Sequence, residues 1–410
     1  MLELFPFTAE IAGGRLSVAG IPAADLAEEH GTPLLVYCEE TVRAQARAYR
    51  AAAPGALVAY GTKAFANVGL LRVLAEEGLG ADVSTLGELA FAREAGLTGD
   101  RLLFHGNNKS DAELRAAAES GATVVLDAPD EPARAAAAGV RRALVRLTPG
   151  VEAVTHQSIQ TAHDESKFGL APDAALNAIR DARDLGVDVA GVHFHVGSQL
   201  ARVDESLVAV DRLVAFCGRA EAELGWTPSV LDIGGGLGVR TSRDEHVPEI
   251  ADFVPPLVAR LPAGVQVVLE PGRSLVGRAG VTLYRVGVVK ESGGVSYVAI
   301  DGGMSDNPRP QLYGARYEAV LADRAEELAD GVFRIAGKHC ESGDVLIDAI
   351  ALPRPNRDDL LAVPATGAYT LAMASTYNGV PRPAAVLVRD GAARLIRARQ
   401  TVEDLLRYER

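Results

Sequence analysis

Between residue 57 and about residue 275, the apolar positions of this chain fall into two alternating rhythms. Short, nearly continuous apolar runs appear in "LVAYGTK", "LGADVST", "RLLFHG", "TVVLDA", "RALVRL", "DVAGVHFHVGS", "SVLDIGGG" and "VQVVLEPG". Between them lie longer stretches, such as "ANVGLLRVLAEEG" and "DESLVAVDRLVAFCGRAEAELG", whose apolar residues recur at three and four. The first rhythm predicts buried strands and the second amphipathic helices. Glycine often follows the last turn of the helical stretches, as expected just past a helix end.

Eight strand-then-helix units with nearly all-apolar strands predict an α/β fold, a (β/α)8 barrel of the TIM type. An open, doubly wound sheet is the competing architecture, but its glycine fingerprint belongs in the first unit, whereas here it follows the seventh strand. After residue 276 the grammar changes. "GVTLYRVGVVKE", "GVSYVAID", "VFRIAGKHC" and "AAVLVRDGAARLIRARQ" are strand-like, with turns at "SGG" and "DG". The opening "GGRLSVAGI" carries similar signals. The expected division is therefore a barrel over residues 34–275 and a mostly β domain formed by 1–33 together with 276–410.

Composition narrows the picture. The 410 residues carry a net charge of −13, with 48% hydrophobic and 23% charged residues, ordinary for a chain that buries a full core. No cluster of Lys and Arg offers a duplex-binding face, so nucleic acid is not an expected partner. No run approaches the length of a membrane span, and "MLELFPFTAE" lacks the basic and apolar regions of a signal peptide. A cytoplasmic protein is expected. Cys38, Cys217 and Cys340 form neither a disulfide framework nor a zinc spacing.

In a barrel of this type the strand exits form the active face. Lys63, Asp82, His105, Asp127, Arg146, His195, Gly234 to Gly236, Glu270 and Arg273 stand there. Any one of them alone is a solvated loop residue, but together they converge on one rim. "DIGGGLG" (232–238) offers backbone amides free of Cβ to an anion, although a plain tight turn has the same look. Its place after the seventh strand is where barrels recurrently bind phosphate. "LEPGR" (269–273) follows the eighth strand with a carboxylate, for which a Glu270–Arg273 ion pair is the alternative. A phosphate loop, a carboxylate and a lysine at Lys63 together suit pyridoxal 5'-phosphate: phosphate, ring nitrogen and aldehyde each find a partner.

Further along, "HFHVGSQ" (193–199) places His193 and His195 on one side by strand alternation. Either could stack on a flat ring. A metal pair is the alternative, but no further ligand set is evident from sequence, so no metal is expected. "KHCESGDVL" (338–346) gathers a thiol and two carboxylates, and "GAYTLAMASTYNG" (367–379) is rich in small residues around Tyr369 and Tyr377.

These segments carry a resemblance. "YGTKAFAN", "GADVSTLGEL", "HGNNKS", "THQSIQTAHDESKFGL", "HFHVGSQ", "DIGGGLG", "EPGR", "NPRPQLYGA", "CESGD" and "GAYTLAMASTYN" resemble, in order, the motifs of the fold-type III pyridoxal-phosphate-dependent decarboxylases, most narrowly the diaminopimelate decarboxylases. The resemblance covers residues 35 to 380. It implies that Lys63 forms the Schiff base, that His195 stacks on the cofactor, and that Ser198, Gly235 and Gly236 meet its phosphate. Glu270 would partner the pyridine nitrogen, with Pro271, Gly272 and Arg273 lining the cofactor alongside it. Arg273, Arg309, Tyr313, Glu341 and Tyr377 would hold the substrate, Tyr377 also lying near the phosphate. Cys340 would donate a proton, reaching the site from the other subunit of a homodimer. The implied reaction is decarboxylation of meso-2,6-diaminopimelate to L-lysine.

Specificity follows from charge. A distal amine needs only an acid, whereas diaminopimelate also carries a distal carboxylate that calls for an arginine. Glu341 and either Arg309 or Arg273 supply both. The rival functions are a decarboxylase of another basic amino acid, an amino-acid racemase, or a non-catalytic cofactor-binding protein. Two departures from the family pattern stand out: Gly61 replaces a frequent alanine, and "DAPD" (127–130) lacks the usual serine or asparagine after its first aspartate.

Overall fold

The computed structural model describes residues 2–148 and 166–409, which form two compact units. One unit holds residues 45–238 and 247–274; the other holds 1–44, 239–246 and 275–410.

In the first unit the eight apolar runs are eight parallel strands: Leu57–Gly61, Gly80–Val83, Leu102–Phe104, Thr123–Leu126, Arg142–Arg146, Asp188–His193, Val230–Asp232 and Gln266–Leu269. The last pairs back onto the first through Val268–Leu57 and Leu269–Val58. That closure excludes the open sheet. Helices follow the strands, and their N-caps sit at the strand-exit rim. Asn67 Oδ1 accepts from Leu70 N at 3.1 Å, Thr85 Oγ1 accepts from Glu88 N at 3.2 Å, and Ser110 and Glu113 form a capping box. Part of the rim's polarity is therefore helix capping.

Strand alternation sorts the barrel interior. Ala59, Leu103, Val125, Leu144, Ala190, Val230 and Val268, drawn from strands all around the barrel, form one buried apolar cluster. Two residues further on, side chains return to the same face. Gly61, His105, Asp127, Arg146, Asp232 and Glu270 occupy that level, and Asp82 follows Gly80 likewise. A register irregularity between Val189 and Gly191 brings His193 to it, level with Arg146 on one side and Asp232 on the other. An apolar layer thus carries a polar one directly above it.

The second unit is mostly β. Its central strand, Gly280–Ser292, pairs antiparallel with Leu34–Cys38, Val295–Ile300 and Leu360–Pro364. The "SGG" turn is the two-residue hairpin Gly293–Gly294, both at positive φ. Gly331–Ala336 and Val345–Leu352 extend the sheet on one side, and Ala384–Arg389 with Ala392–Arg397 extend it on the other. Arg15–Val18 joins a small three-stranded sheet whose Leu16 and Val18 pack into the same core as Val36 and Val281.

The units divide elsewhere than the sequence boundaries at 34 and 275. Leu34–Cys38 lies between two sheet strands of the second unit, and all five of its residues are buried. Such a strand has no alternation and precedes a helix, so in sequence it looks like a barrel strand. Val239–His246 also belongs to the second unit. Among the described residues no helix is long and apolar enough to cross a membrane.

Gly61 adopts an ordinary φ of −66°, and a Cβ there would meet Gly272 Cα at 3.5 Å, a normal contact. Gly61→Ala is therefore expected to stabilise the protein by about 0.4–1 kcal/mol through the unfolded state, measured as a higher urea midpoint.

Candidate active site

The strand exits of the barrel enclose a cavity of about 140 Å³ lined by Lys63, Asp82, Ser84, Glu88, His105, Gly106, Arg146, Phe168, His193, His195 and Glu270. Lys63 sits on the short turn Thr62–Ala64 and is exposed while its two neighbours are buried. Thr62 Oγ1 donates to Asp82 O at 2.7 Å, which ties this turn to the second strand.

Glu270 is fully engaged. Its Oε1 lies 2.6 Å from His105 Nε2 and its Oε2 lies 3.2 Å from His193 Nε2. Burial alone would raise its pKa, but His105 and then His193 carry it well below the usual carboxylate range. His193 goes the other way: burial outweighs Glu270 and holds it down at about 4, so it donates as a neutral imidazole. His195 is likewise driven well below its usual value, by desolvation and then by Lys63. Its Nδ1 accepts the Gly235 amide at 3.3 Å, which fixes the neutral ring.

The glycine loop follows from close approach. A Cβ on Gly235 would stand 2.2 Å from the carbonyl oxygen of Glu270, and Gly236 holds φ +120°. The loop is thereby laced to the eighth strand, where Glu270 N donates to Gly234 O at 2.7 Å. Pro271 O accepts from Gly61 N at 3.1 Å. Arg273 opens the short helix after Gly272 and donates to Ser198 Oγ from Nε at 3.3 Å and Nη2 at 3.1 Å. The suggested Glu270–Arg273 pairing gives way to this arrangement, with Glu270 facing imidazoles and Arg273 facing Ser198.

The His193–His195 metal reading also changes. His105, His193, Asp232 and Glu270 bring donor atoms within 4.8 Å of one another, a carboxylate company not visible in sequence. Both Nε2 atoms there are committed to Glu270, so the cluster is a hydrogen-bond network. Arg146 pairs with Asp127 Oδ2 at 3.2 Å and lies over the Phe168 ring at 4.5 Å, while Gly169 N donates to Asp127 Oδ1 at 2.7 Å. The end of "THQSIQTAHDESKFGL" thus reaches the site; its residues 155–165 lie outside the described ones.

The barrel brings together Lys63, His195, Ser198, Gly235, Gly236, Glu270, Pro271, Gly272 and Arg273. The second unit carries the other expected residues. There Arg309 starts and Tyr313 ends a short helix. Arg309 is buried, its Nη1 donates to Tyr317 Oη at 2.9 Å, and its Nε has no partner. Among the described residues no carboxylate lies within ion-pair distance of it. Cys340 is exposed, and its amide donates to Asn378 Oδ1 at 3.1 Å. Tyr377 Oη donates to Glu341 Oε2 at 3.5 Å. Sequence reasoning placed His105, Asp82 and Arg146 on the rim without a role, and passed over Asp232. Counting two residues on from Gly80, Leu103, Leu144 and Val230 reaches all four.

Fold and site together place the chain among the barrel-type pyridoxal-dependent enzymes. Residues 39–277 match the family described as pyridoxal-dependent decarboxylase, pyridoxal binding domain. The chain is 40% identical to the diaminopimelate decarboxylase of Halalkalibacterium halodurans over 99% of its own length and 98% of that protein's. It is 43% identical to that of Actinosynnema pretiosum, over 99% and 95%. A solved diaminopimelate decarboxylase of M. jannaschii in complex with L-lysine superposes with a TM-score of 0.92 at 32% identity, covering 98% of both chains. The chain belongs to the pyridoxal-dependent decarboxylase family and, within it, to the diaminopimelate decarboxylases.

Pyridoxal 5'-phosphate is the cofactor of this family, and the residues fit it. A lysine, a clamped carboxylate, a neutral imidazole and a loop that only glycine can form stand around one cavity. Gly235→Ala forces its methyl onto the Glu270 carbonyl at a cost of about 1–3 kcal/mol. The cofactor's Kd is expected to rise about ten- to a hundredfold, read by absorbance titration.

Proposed function

We propose that this chain decarboxylates meso-2,6-diaminopimelate to L-lysine and carbon dioxide, the last step of lysine biosynthesis, acting as a cytoplasmic homodimer. The observation that carries this reading is the single cavity lined by both Lys63 and Glu270 in a chain of this family. When bound, the cofactor supplies an electron sink for the pair left on the substrate carbon as carbon dioxide departs.

The chain's own residues do the rest. Lys63 would hold the cofactor through its Nζ. Glu270, kept ionised, accepts a hydrogen bond from the protonated ring nitrogen. His195, neutral and held by the Gly235 amide, offers an uncharged face to a flat ring. Ser198, Arg273 and the amides of Gly235 and Gly236 provide donors for the phosphate. Cys340 gives its Sγ proton to the carbon that lost carbon dioxide. Its exposure, and that of Glu341 and Tyr377 beside it, suits donation into the site of a second copy.

Substrate choice rests on charge. Arg309 is a buried cation without a carboxylate partner among the described residues, which supports a role in meeting the distal carboxylate. Glu341 suits the distal amine, with Tyr313, Tyr377 and Arg273 completing the substrate contacts.

Carbon dioxide release from meso-diaminopimelate, compared with L-ornithine, L-lysine and L-arginine, tests the reading. Release from meso-diaminopimelate alone is expected, and release from another of the four instead moves the specificity. Lys63→Ala is expected to lose the protein-bound visible absorbance. Cys340→Ala is expected to keep it while kcat falls about 10²–10⁴-fold; unchanged turnover removes Cys340 from the mechanism.

A further inference from the structure

Two imidazoles from different strands grip Glu270, and they are not equivalent. His105 Nε2 stands 2.6 Å from Glu270 Oε1 and also 3.7 Å from Asp82 Oδ1. A nitrogen that faces two carboxylates carries a proton; burial alone would lower the pKa of the ring, but Glu270 and then Asp82 raise it above the usual value, which favours the imidazolium. His193, edge-on to His105 with ring centroids 4.8 Å apart, has Glu270 as its hydrogen-bond partner, and among the described residues its buried Nδ1 has none. It donates an N–H and brings no charge.

Asp232 adds a constraint. Its side chain is wholly buried; Oδ1 accepts from Gly234 N at 2.9 Å, and Oδ2 has no donor. Desolvation, with Glu270 next to it, holds Asp232 well above the usual carboxylate range. Asp82 is raised as well, by burial, with His105 opposing. Three buried carboxyls thus crowd one floor. The groups facing His105 are Asp82 with Glu88 beyond it, Arg146, His193, Asp232 and Glu270, with Lys63 and His195 across the cavity. Arg146 is already paired with Asp127.

We propose that His105 is the positioning residue that keeps Glu270 ionised: its imidazolium is the counter-charge without which Glu270, lodged between Asp82 and Asp232, takes up a proton and cannot hold the proton-bearing ring nitrogen of the cofactor. The proposal rests on the reading that Glu270 meets that nitrogen. His193 orients the carboxylate without charging it.

The test compares wild type, His105→Gln and His193→Gln, each full-length, stripped of cofactor and titrated with pyridoxal phosphate by absorbance between about pH 6 and 9. Glutamine keeps a neutral donor and removes the charge. For His105→Gln, the Kd relative to wild type is expected to climb as pH falls, by up to about tenfold per pH unit below the raised midpoint of Glu270. For His193→Gln the ratio is expected to stay flat with pH. A flat ratio for His105→Gln, or an equal slope in both variants, overturns the proposal. A wild type that does not retain pyridoxal phosphate overturns the cofactor reading and the proposal with it. Should His105→Gln fail to fold, the imidazole ¹⁵N shifts of the wild type at about pH 7.5 decide. Two protonated nitrogens on His105 support the proposal, and a neutral ring overturns it.

Discussion

A closed barrel of eight parallel strands has no room in its interior for an unpaired charge, and this one places a whole layer of ionisable side chains there. Below that layer the interior is aliphatic, so the carboxylates and imidazoles above it lose water on one side and must satisfy one another. Pairing is therefore forced. Arg146 takes Asp127, His105 and His193 take Glu270, and burial with Glu270 beside it pushes Asp232 well above the usual carboxylate range. The site's geometry follows from this constraint, because each partner fixes the rotamer and the charge of the next.

The same layer explains the shape of the cavity. The first strand contributes only Gly61 at that level, and the space left is lined by Asp82, His105, His193 and Glu270 together with Lys63, two residues on from Gly61. On the other side, the glycine loop can be drawn against the carbonyl of Glu270 only because Gly235 has no Cβ. Backbone and side chain of one residue thus serve two purposes: the Glu270 carboxylate faces the imidazoles, and its peptide holds the loop.

The second unit builds its own patch differently. The strand Gly331–Ala336 ends shortly before Cys340, and the segment around Tyr377 returns beside it, so Cys340, Glu341 and Tyr377 share one exposed surface. Arg309 is buried and donates to Tyr317 Oη. A buried cation with no carboxylate at ion-pair distance among the described residues is a feature a stable fold does not need for itself.

Much of this was legible in the chain. Eight apolar runs with intervening amphipathic stretches determined the barrel, since a nearly all-apolar strand followed by a helix has few other solutions. Motifs drew attention to Lys63, Glu270 and the Gly235 loop, which the fold brings to one rim. The strand Leu34–Cys38 was not assignable, because full burial erases the alternation that tells a sheet strand from a barrel strand. The clamp on Glu270 was not visible either. His105 and Glu270 are separated by most of the barrel in sequence and meet only when closure and the irregularity near Val189 set the strands in register. Local chemistry is written residue by residue, whereas charge depends on which groups share a dry space, and only the tertiary structure decides that.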